Sequence, residues 1–587
     1  MTASFRARSL PLLLAASAFV AAAHGAHAQG LPWQSQTQSQ DPADGSDVGR
    51  GDLAPPAGVA EQWRGAAGVE REELNPVLSQ EGSGLPHELW SGLSAEQLAE
   101  NISVLALPPR SPALHALWRR LIISDAPAAD GASQARFTAL RVEALDQSGL
   151  IAEAAALLAR DPAATRDPLL TTLAAKSEIG LGNVEHGCSL AQGLAQAHAE
   201  LPKPIQADAL LITGFCAAQR GDMDAAALQA HLIRGLDLGE LPGVDLLDRV
   251  TAGLDPEPPT GQKLTALDYR IASLKGSFPR SALIRTASPA LLAALAHDPR
   301  TPADVRLEAG EAAALLNALP PRDLAPLYRA QGASGGRGGD AVERAGLFTA
   351  VESEPAPETK AHHIRAFLDH ARRAALTWPG LAVMAAPVQQ LRPHPDLAWF
   401  SETAIEVSLA AGDFETARNW ARLTAPSGTW NPDASSQMHA HWMALADIAE
   451  PTTGVDRGLH LGAVEALARQ GRFSPALLHR LTTVLDALDM MVPPSLWDMT
   501  GQAPQPAGGH LPDTGVLTDL ADASRKKAFG RTVLLVMRTI GPGGAEQAHM
   551  IALGDAIRAL RRAGLESDAR RLALEGLFGA WPRAVAR

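Results

Sequence analysis

The first candidate for chemistry is Ser334, which glycines flank in the stretch Gly332–Gly336. The pattern Gly-x-Ser-x-Gly forms the nucleophile elbow of α/β-hydrolases, in which a strand precedes the serine and a helix follows it. Here a helical run, Leu324 to Ala330, precedes the serine and more glycine follows it. The sequence therefore predicts a flexible loop rather than a nucleophile, and with Arg337 its backbone N–H groups offer at most a nest for an anion.

Histidines are the next candidates, because clustered imidazoles can bind a metal ion. His362, His363 and His370 lie on one helical segment, but no glutamate completes the metalloprotease spacing His-Glu-x-x-His. His439 and His441 are two positions apart and would point in different directions from a helix. We therefore predict no catalytic residue, no metal site and no cofactor. We interpret His362, His363 and His370 as surface or partly buried side chains, and we do not interpret His439 and His441 as a pair of ligands.

The chain has two cysteines, Cys188 and Cys216, which lie 28 positions apart. Pro202 marks the break between two helical runs and is 14 positions from each cysteine. If the helices fold back antiparallel around this break, the cysteines lie at the same height, and a disulfide forms if both face the seam between the helices. The alternative is two small buried thiols. Two cysteines without clustered histidines do not complete a zinc shell.

The N-terminus has the pattern of a secretory signal peptide. Arg6 and Arg8 precede an apolar stretch, Leu10 to Ala23, and small residues follow at Ala26 and Ala28, with cleavage expected after the latter. The apolar stretch is shorter than the ~20 residues that span a bilayer. We expect a mature chain without a transmembrane segment in the periplasm, with secretion from the cell as the second choice. Either compartment allows a disulfide to persist.

Composition favours helices over strands. Alanine and leucine are abundant, whereas the chain of 587 residues has only 2 tyrosines and 12 phenylalanines. Strands prefer β-branched and aromatic residues, and helices prefer Ala, Leu, Arg and Glu. The formal net charge is −13, so electrostatics do not favour nucleic acid as a partner.

Proline- and glycine-rich breaks divide the chain into five predicted parts. The segment after the signal peptide holds Gln/Ser runs and little apolar periodicity, which predicts disorder. A glycine-rich stretch and a Pro/Glu stretch after it, both within 331–360, indicate a hinge between two helical arrays. The predicted parts are a signal peptide at 1–28, a disordered tail at 29–83, an N-terminal array of helical hairpins at 84–330, a hinge or linker at 331–360, and a C-terminal array at 361–587.

A short pattern recurs along the helical part: a glycine is followed five positions later by a small residue. The glycine can adopt a left-handed conformation that ends one helix, and the small residue lets the next helix pack closely. The first two intervals between such glycines, 33 and 39 residues, fit a helix-turn-helix repeat. The pairs are Gly149 and Ala154, Gly182 and Gly187, Gly221 and Ala226, Gly412 and Ala417, Gly471 and Ala476, and Gly564 and Ala569.

The repeat resembles the tetratricopeptide-repeat (TPR) superfamily, most closely at the two turns that begin at Gly221 and Gly412. This resemblance, over about half of the chain, implies an all-α fold, namely a right-handed α-solenoid of stacked helical hairpins in a degenerate TPR-like form. The overall pattern is also similar to exported proteins of alphaproteobacteria that have no assigned activity.

The C-terminal end is basic, with 12 Lys/Arg against 5 Asp/Glu from Arg525 to Arg587. Arg558, Arg561 and Arg562 are about one helical turn apart and form one basic face. This face is a candidate docking surface for an acidic partner or for peripheral contact with anionic lipid. The alternative is a solvated helix face, which is the commoner outcome for charges on helices.

Two classes of function remain. The first is a non-catalytic scaffold or adaptor of the cell envelope, because stacked helical hairpins form long surfaces that bind proteins or peptides. The alternative is a carbohydrate- or peptidoglycan-active envelope protein, built like the helical superstructure of soluble lytic transglycosylases. Tryptophans could line a peptide or sugar groove in either case. We expect most of them in the core and expect Trp430 and Trp497, which lie in breaks, to be exposed.

Overall fold

The computed structural model describes residue 85 and residues 88–131, 133–194, 201–334, 339–423, 439–451 and 457–583. Within these ranges the regular structure is helical and contains no strand, which confirms the predicted all-α class. The described residues all belong to one compact unit, Gly68–Arg587. The predicted signal peptide with its cleavage residues, and the predicted tail at 29–83, lie outside the described residues.

Two short 3-10 helices, Pro321–Asp323 and Pro395–Phe400, lie among the α-helices. The α-helices of the described ranges, numbered in chain order, are α1 (Ala95–Ser103), α2 (Pro112–Ile123), α3 (Gln134–Gln147), α4 (Ile151–Arg160), α5 (Pro168–Leu181), α6 (Val184–Ala191), α7 (Lys203–Gln219), α8 (Met223–Arg234), α9 (Pro242–Thr251), α10 (Ala266–Ala272), α11 (Arg280–Thr286), α12 (Pro289–His297), α13 (Ala303–Leu315), α14 (Leu324–Ser334), α15 (Asp340–Ser353), α16 (Pro357–Arg373), α17 (Thr377–Gln389), α18 (Ser401–Ala411), α19 (Phe414–Ala421), α20 (Ala440–Ala449), α21 (Arg457–Arg469), α22 (Pro475–Ala487), α23 (Pro494–Gln502), α24 (Thr514–Arg525), α25 (Phe529–Ile540), α26 (Met550–Arg562) and α27 (Glu566–Phe578).

Most helices pack against the helices that precede and follow them in the chain. The most extensive contacts join α7 to α8, α5 to α6, α12 to α13, α15 to α16, α18 to α19 and α20 to α21. Each such pair buries an apolar face that a single helix would expose, so the hairpins stack into a continuous core. This arrangement is the predicted stack of helical hairpins.

All six predicted turn glycines have a positive φ, between 74° and 95°. This left-handed conformation is strained for any residue with a Cβ atom, and it reverses the chain between two helices. At five of the turns the small residue is buried, as in Ala154, which is 0% exposed. Gly187 shows why small size is needed, because a Cβ there would lie 2.5 Å from Ile179 Cγ1.

The prediction is wrong for Ala476, which is exposed. At the other five turns the next helix begins two residues after the glycine, so the small residue faces the preceding helix one turn later. After Gly471 the helix begins later, because Ser474 accepts a hydrogen bond from the Leu477 N–H and Pro475 is the first helical residue. Ala476 therefore stands in the exposed first turn of α22, and the next residue, Leu477, is buried instead.

Helical packing continues through much of the segment 331–360, which the sequence predicted as a hinge. The segment holds the end of α14, all of α15 and the start of α16, and these helices pack on one another in succession. Ser334 is the last residue of α14, so the predicted loop begins after it, and residues 335–338 lie outside the described ranges. The buried Glu311 links α13 to the next two helices, since it accepts hydrogen bonds from Tyr328 and Arg344.

The predicted disulfide between Cys188 and Cys216 is confirmed. Cys188 lies in α6 and Cys216 near the end of α7, with their Cα atoms 5.7 Å apart. The two helices therefore fold back on each other around the break at Pro202, as the equal spacing on either side of it indicated. Among the described helices, none combines the length and the apolar character needed to cross a bilayer.

We expect the double substitution Cys188→Ser, Cys216→Ser to lower the free energy of unfolding by up to about 3.5 kcal/mol, since it releases a loop of this length in the unfolded chain. Urea unfolding of both proteins, followed by circular dichroism, measures the difference. As a control, dithiothreitol should lower the stability of the natural protein to that of the variant and leave the variant unchanged. Equal stability of the two oxidised proteins would contradict this expectation.

Two turn glycines provide a matched test of packing at the turns. Gly149→Ala and Gly412→Ala both place a Cβ on a backbone with positive φ, which costs about 1 kcal/mol. At Gly149 the new atom would also lie 2.3 Å from Ala318 Cβ, whereas nothing lies within 4 Å at Gly412. Because overpacking adds about 1–3 kcal/mol, Gly149→Ala should have the clearly lower urea midpoint. Equal midpoints would show that the contact with Ala318 relaxes at no cost.

Candidate functional site

The first two helices of the described stack meet helices near its other end. Helix α2 packs against α25 and α27, and α1 packs against α25. The Ser111 hydroxyl donates a hydrogen bond to Glu575 Oε2 at 2.7 Å, and the Ala113 N–H donates to the same oxygen at 3.0 Å. Ser111 is the N-cap of α2, so a carboxylate from α27 lies at the positive end of the α2 dipole. These contacts join residues more than 460 positions apart in sequence.

Glu575 is 4% exposed, and its pKa is raised from 4.5 to about 7. Burial is the main cause, because the charged form loses its hydration, and the nearby Glu546 adds to the increase. The hydrogen bonds from Ala113 and Ser111 act in the opposite direction, since they stabilise the carboxylate. Glu575 is thus a buried acid that holds two ends of the described helical stack together and has a pKa near neutral pH.

A single guanidinium organises the loop between α25 and α26. Arg480, on α22, donates hydrogen bonds to four backbone carbonyl oxygens, with N–O distances between 2.7 and 3.1 Å. Five N–H donors in one plane allow arginine to satisfy several carbonyls at once. The four acceptors belong to Ala545, Glu546, Ala548 and Gly576.

The middle of the chain joins the same junction. The Asn317 side-chain amide, just after α13, donates to the carbonyl oxygens of Pro109 at 2.9 Å and Arg110 at 3.1 Å. An ion pair between Arg120 and the buried Asp568 links α2 to α27 a second time. Polar contacts therefore fix three distant regions of the chain relative to one another.

Two neighbouring open pockets lie where these regions meet and share five lining residues, and we call them the two lobes of the junction cavity. Its first lobe, of about 750 Å³, is lined by residues from five chain segments, within 110–112, 314–317, 372–379, 542–547 and 578–583. The second lobe, of about 430 Å³, extends along α2. Both volumes are in the range of small-molecule and peptide side-chain pockets. The residues common to the two lobes are Pro112, Ala314, Asn317, Trp378 and Pro379.

The wall of the first lobe is polar and carries two aromatic side chains, Trp378 and Phe578. Trp378 packs on Phe578, with ring centroids 4.7 Å apart, and its Nε1 donates to Glu546 Oε1 at 3.4 Å. Arg372 and Arg583 also line this lobe, and both pair with the buried Glu406. The Nε atom of Arg372 is buried and has no hydrogen-bond partner. This wall therefore offers both donors and acceptors beside a flat apolar surface.

The second lobe is cationic and lies on an apolar floor. Arg119, Arg120, Arg322 and Arg571 line it, and no carboxylate does. His115 also lines it, and burial, with a smaller contribution from Arg119, lowers the pKa of its imidazole to about 4. The histidine is therefore neutral at physiological pH. This arrangement suits a ligand that is part anion and part apolar.

The predicted basic docking face lies elsewhere, and two of its three arginines are paired within the chain. Arg558 forms ion pairs with Asp486 and Asp555, and Arg561 pairs with Glu566. Arg562 is exposed. These ion pairs reduce the excess positive charge of the face. None of the three arginines lines the junction cavity, so the face is separate from the candidate site.

The histidines and tryptophans considered in the sequence analysis lie outside the junction cavity, apart from Trp378, wherever the structure describes them. His370 lies 3.3 Å from Glu343, and His362 stacks on Trp399. No group of three or more potential metal ligands occurs among the described residues. Trp497 is 47% exposed, as predicted, while Trp430 lies outside the described residues. Most of the remaining tryptophans are in the core, and the fully buried ones are Trp90, Trp118, Trp420, Trp442 and Trp581.

Sequence reasoning did not find the residues of the junction cavity. Trp378 was placed with the tryptophans expected in the core, although it lines a cavity. Arg571 was counted only as part of the basic C-terminal end, and Glu575 carried no motif. The only available signal was the positive charge of that end, which does not indicate which arginines meet α2.

No protein-family model matches the chain, and neither the curated proteins nor the solved structures provide a match. The functional inference therefore rests on the geometry of the junction cavity.

We expect Glu575 to make stability depend on pH in a defined direction. Because its pKa is raised in the folded state, the folded protein holds the proton more tightly than the unfolded chain does. The contribution of this proton to the free energy of unfolding is present in full below pH ~4.5. It is lost as the pH rises to ~7, which lowers the free energy of unfolding by up to about 3 kcal/mol. Urea unfolding at intervals from pH 4 to pH 8 measures the loss.

The matched control is Glu575→Gln, which keeps an acceptor oxygen for Ser111 and Ala113 but cannot titrate. The buried His115 and His441, whose pKa values are lowered to about 4, affect stability in the opposite direction but are present in both proteins. The difference between the two pH profiles therefore isolates Glu575. A flat difference would show that the pKa of Glu575 is the same in the folded and unfolded states.

Proposed function

We propose that the protein is a non-catalytic scaffold or adaptor of the cell envelope, which binds an extended segment of a protein or peptide partner in the junction cavity. The observation that carries this proposal is the convergence of five distant chain segments on one cavity with a mixed polar and aromatic wall. Stacked helical hairpins commonly bind proteins or peptides on the surfaces they enclose. The chain's described residues provide such a surface at the junction.

The chemistry of the first lobe suits a peptide backbone. A bound backbone brings N–H and C=O groups that need partners once they leave water. The lobe offers acceptors at Glu546 and donors at Arg110 and Gln547, all with exposed side chains. Trp378 adds a flat face for an apolar or planar side chain. A peptide can therefore satisfy both its polar backbone and its side chains in this lobe.

The periplasm is the compartment that we propose, with secretion as the second choice. The disulfide between Cys188 and Cys216 supports an oxidising compartment, since cytosolic thiols are usually kept reduced. The signal-peptide pattern of the first 28 residues also supports export. A peripheral contact with anionic lipid through Arg562 stays a prediction.

Photo-crosslinking in the native host tests the proposed function. A benzoylphenylalanine at position 547, where Gln547 lines the first lobe, should trap a discrete partner. The matched control places the same group at Met491, which is 87% exposed and does not line the cavity. Adding Trp378→Ala should reduce the trapped product about tenfold or more if the partner packs on this ring. Equal trapping at positions 547 and 491 would contradict the proposal.

The pair formed by Trp378 and Glu546 favours one second candidate, an envelope protein that binds or acts on carbohydrate. Indole rings stack on sugar faces, and carboxylates accept hydrogen bonds from hydroxyl groups. Mass spectrometry of the product trapped at position 547 distinguishes the candidates. A peptide adduct supports the adaptor, whereas a glycan or muropeptide adduct supports the second candidate.

A further inference from the structure

The second lobe of the junction cavity holds more positive charge than the ion pairs of the fold use, although Arg120 pairs with Asp568. Arg571 is exposed on α27 and forms no ion pair with a described residue, and the nearest carboxylate to Arg322 is that of Asp323, at 3.9 Å. Arg119 is also near, although it pairs with Glu153. In a chain with a net charge of −13, this grouping of arginines without a lining carboxylate selects an anion.

His115 also lines the lobe but adds no charge to it. Its side chain is 7% exposed, and burial lowers the pKa of the imidazole to about 4, so the ring is neutral at physiological pH. Its Nε2 atom is buried and has no hydrogen-bond partner among the described residues. The positive charge of the lobe therefore comes from its arginines.

The floor of the lobe defines the rest of the ligand. Ile123, Leu150 and Leu319 are nearly fully buried where they line it, and prolines complete the apolar surface. A bare inorganic anion would leave this surface without a contact. A volume of about 430 Å³ holds a carboxylate together with one apolar side chain. A longer ligand would reach the residues that the two lobes share and continue into the first lobe.

We propose that the second lobe binds the C-terminal carboxylate and the apolar last side chain of a peptide whose preceding residues lie in the first lobe. This inference rests on the proposed function, because it assigns the end of the same bound peptide. Arginine binds carboxylates through two parallel hydrogen bonds, a geometry that lysine does not reproduce. A free fatty acid fits less well, since its alkyl chain would pass the polar wall of the first lobe.

A direct test uses the purified disulfide-bonded protein and fluorescein-labelled pentapeptides, randomised at four positions and ending in leucine. Fluorescence anisotropy compares the mixture with a free C-terminal carboxylate against the same mixture with a C-terminal amide. We expect the free acid to bind at least about tenfold more tightly, because a charge-assisted pair is lost in the amide. Octanoate, added as a competitor, reports on a free amphipathic acid.

Arg571→Ala should remove most of the difference in binding affinity between the free-acid and the amide peptides. Arg571→Lys should restore only part of this difference. The matched control is Arg562→Ala, an exposed arginine outside the cavity, which should leave the difference unchanged. Thermal unfolding of each variant shows whether the fold is retained. Substitution of the exposed Arg571 is not expected to disturb the core.

The outcomes separate the two proposals. Equal binding of acid and amide would overturn the carboxylate pocket and leave peptide binding intact. Displacement of the free-acid peptides by octanoate at equal concentration would overturn the peptide as the source of the carboxylate. No binding of either mixture would overturn both the pocket and the proposed function.

Discussion

The buried carboxylate of Glu575 is the contact on which the closure of the helical stack depends. A stack of hairpins ends in two helices, each with an apolar face that needs a cover. In this protein α2 and α27 cover each other, and Glu575 fixes their register by accepting hydrogen bonds from Ser111 and Ala113. The same contact sets the distance between the chain segments that line the junction cavity. The candidate site is therefore a consequence of how the ends are capped.

Arginine is suited to this junction because one guanidinium satisfies several acceptors. Arg480 contacts four backbone carbonyls, and Arg372 and Arg583 share the buried Glu406. An isolated buried charge would be costly, but paired and hydrogen-bonded charges are tolerated in protein interiors. Arg571 differs from these, since its charge faces a cavity rather than a carboxylate of the fold. This contrast separates the arginines that hold the structure from those available to a ligand.

The fold was predictable from sequence where its determinants are local. Turn glycines and the equal spacing of Cys188 and Cys216 around Pro202 depend on short stretches, and both give the observed hairpins. Ala476 was predicted wrongly because a competing local signal, Ser474 followed by Pro475, delays the start of its helix. The junction was not predictable, since its contacts join residues more than 460 positions apart. No periodicity or motif within a helix specifies which distant helix it will meet.

A ligand in the junction cavity and the closure of the stack must stabilise each other. Anything that binds only the closed state adds RT ln(1 + [L]/Kd) to its stability, whatever the ligand. A ligand that fills the first lobe touches five chain segments at once, so its binding free energy acts directly on the contact between α2 and α27. A partner on the outer face of one hairpin would contact a single repeat and would leave the junction unaffected. Location at the closure thus couples occupancy of the cavity to the stability of the whole helical stack.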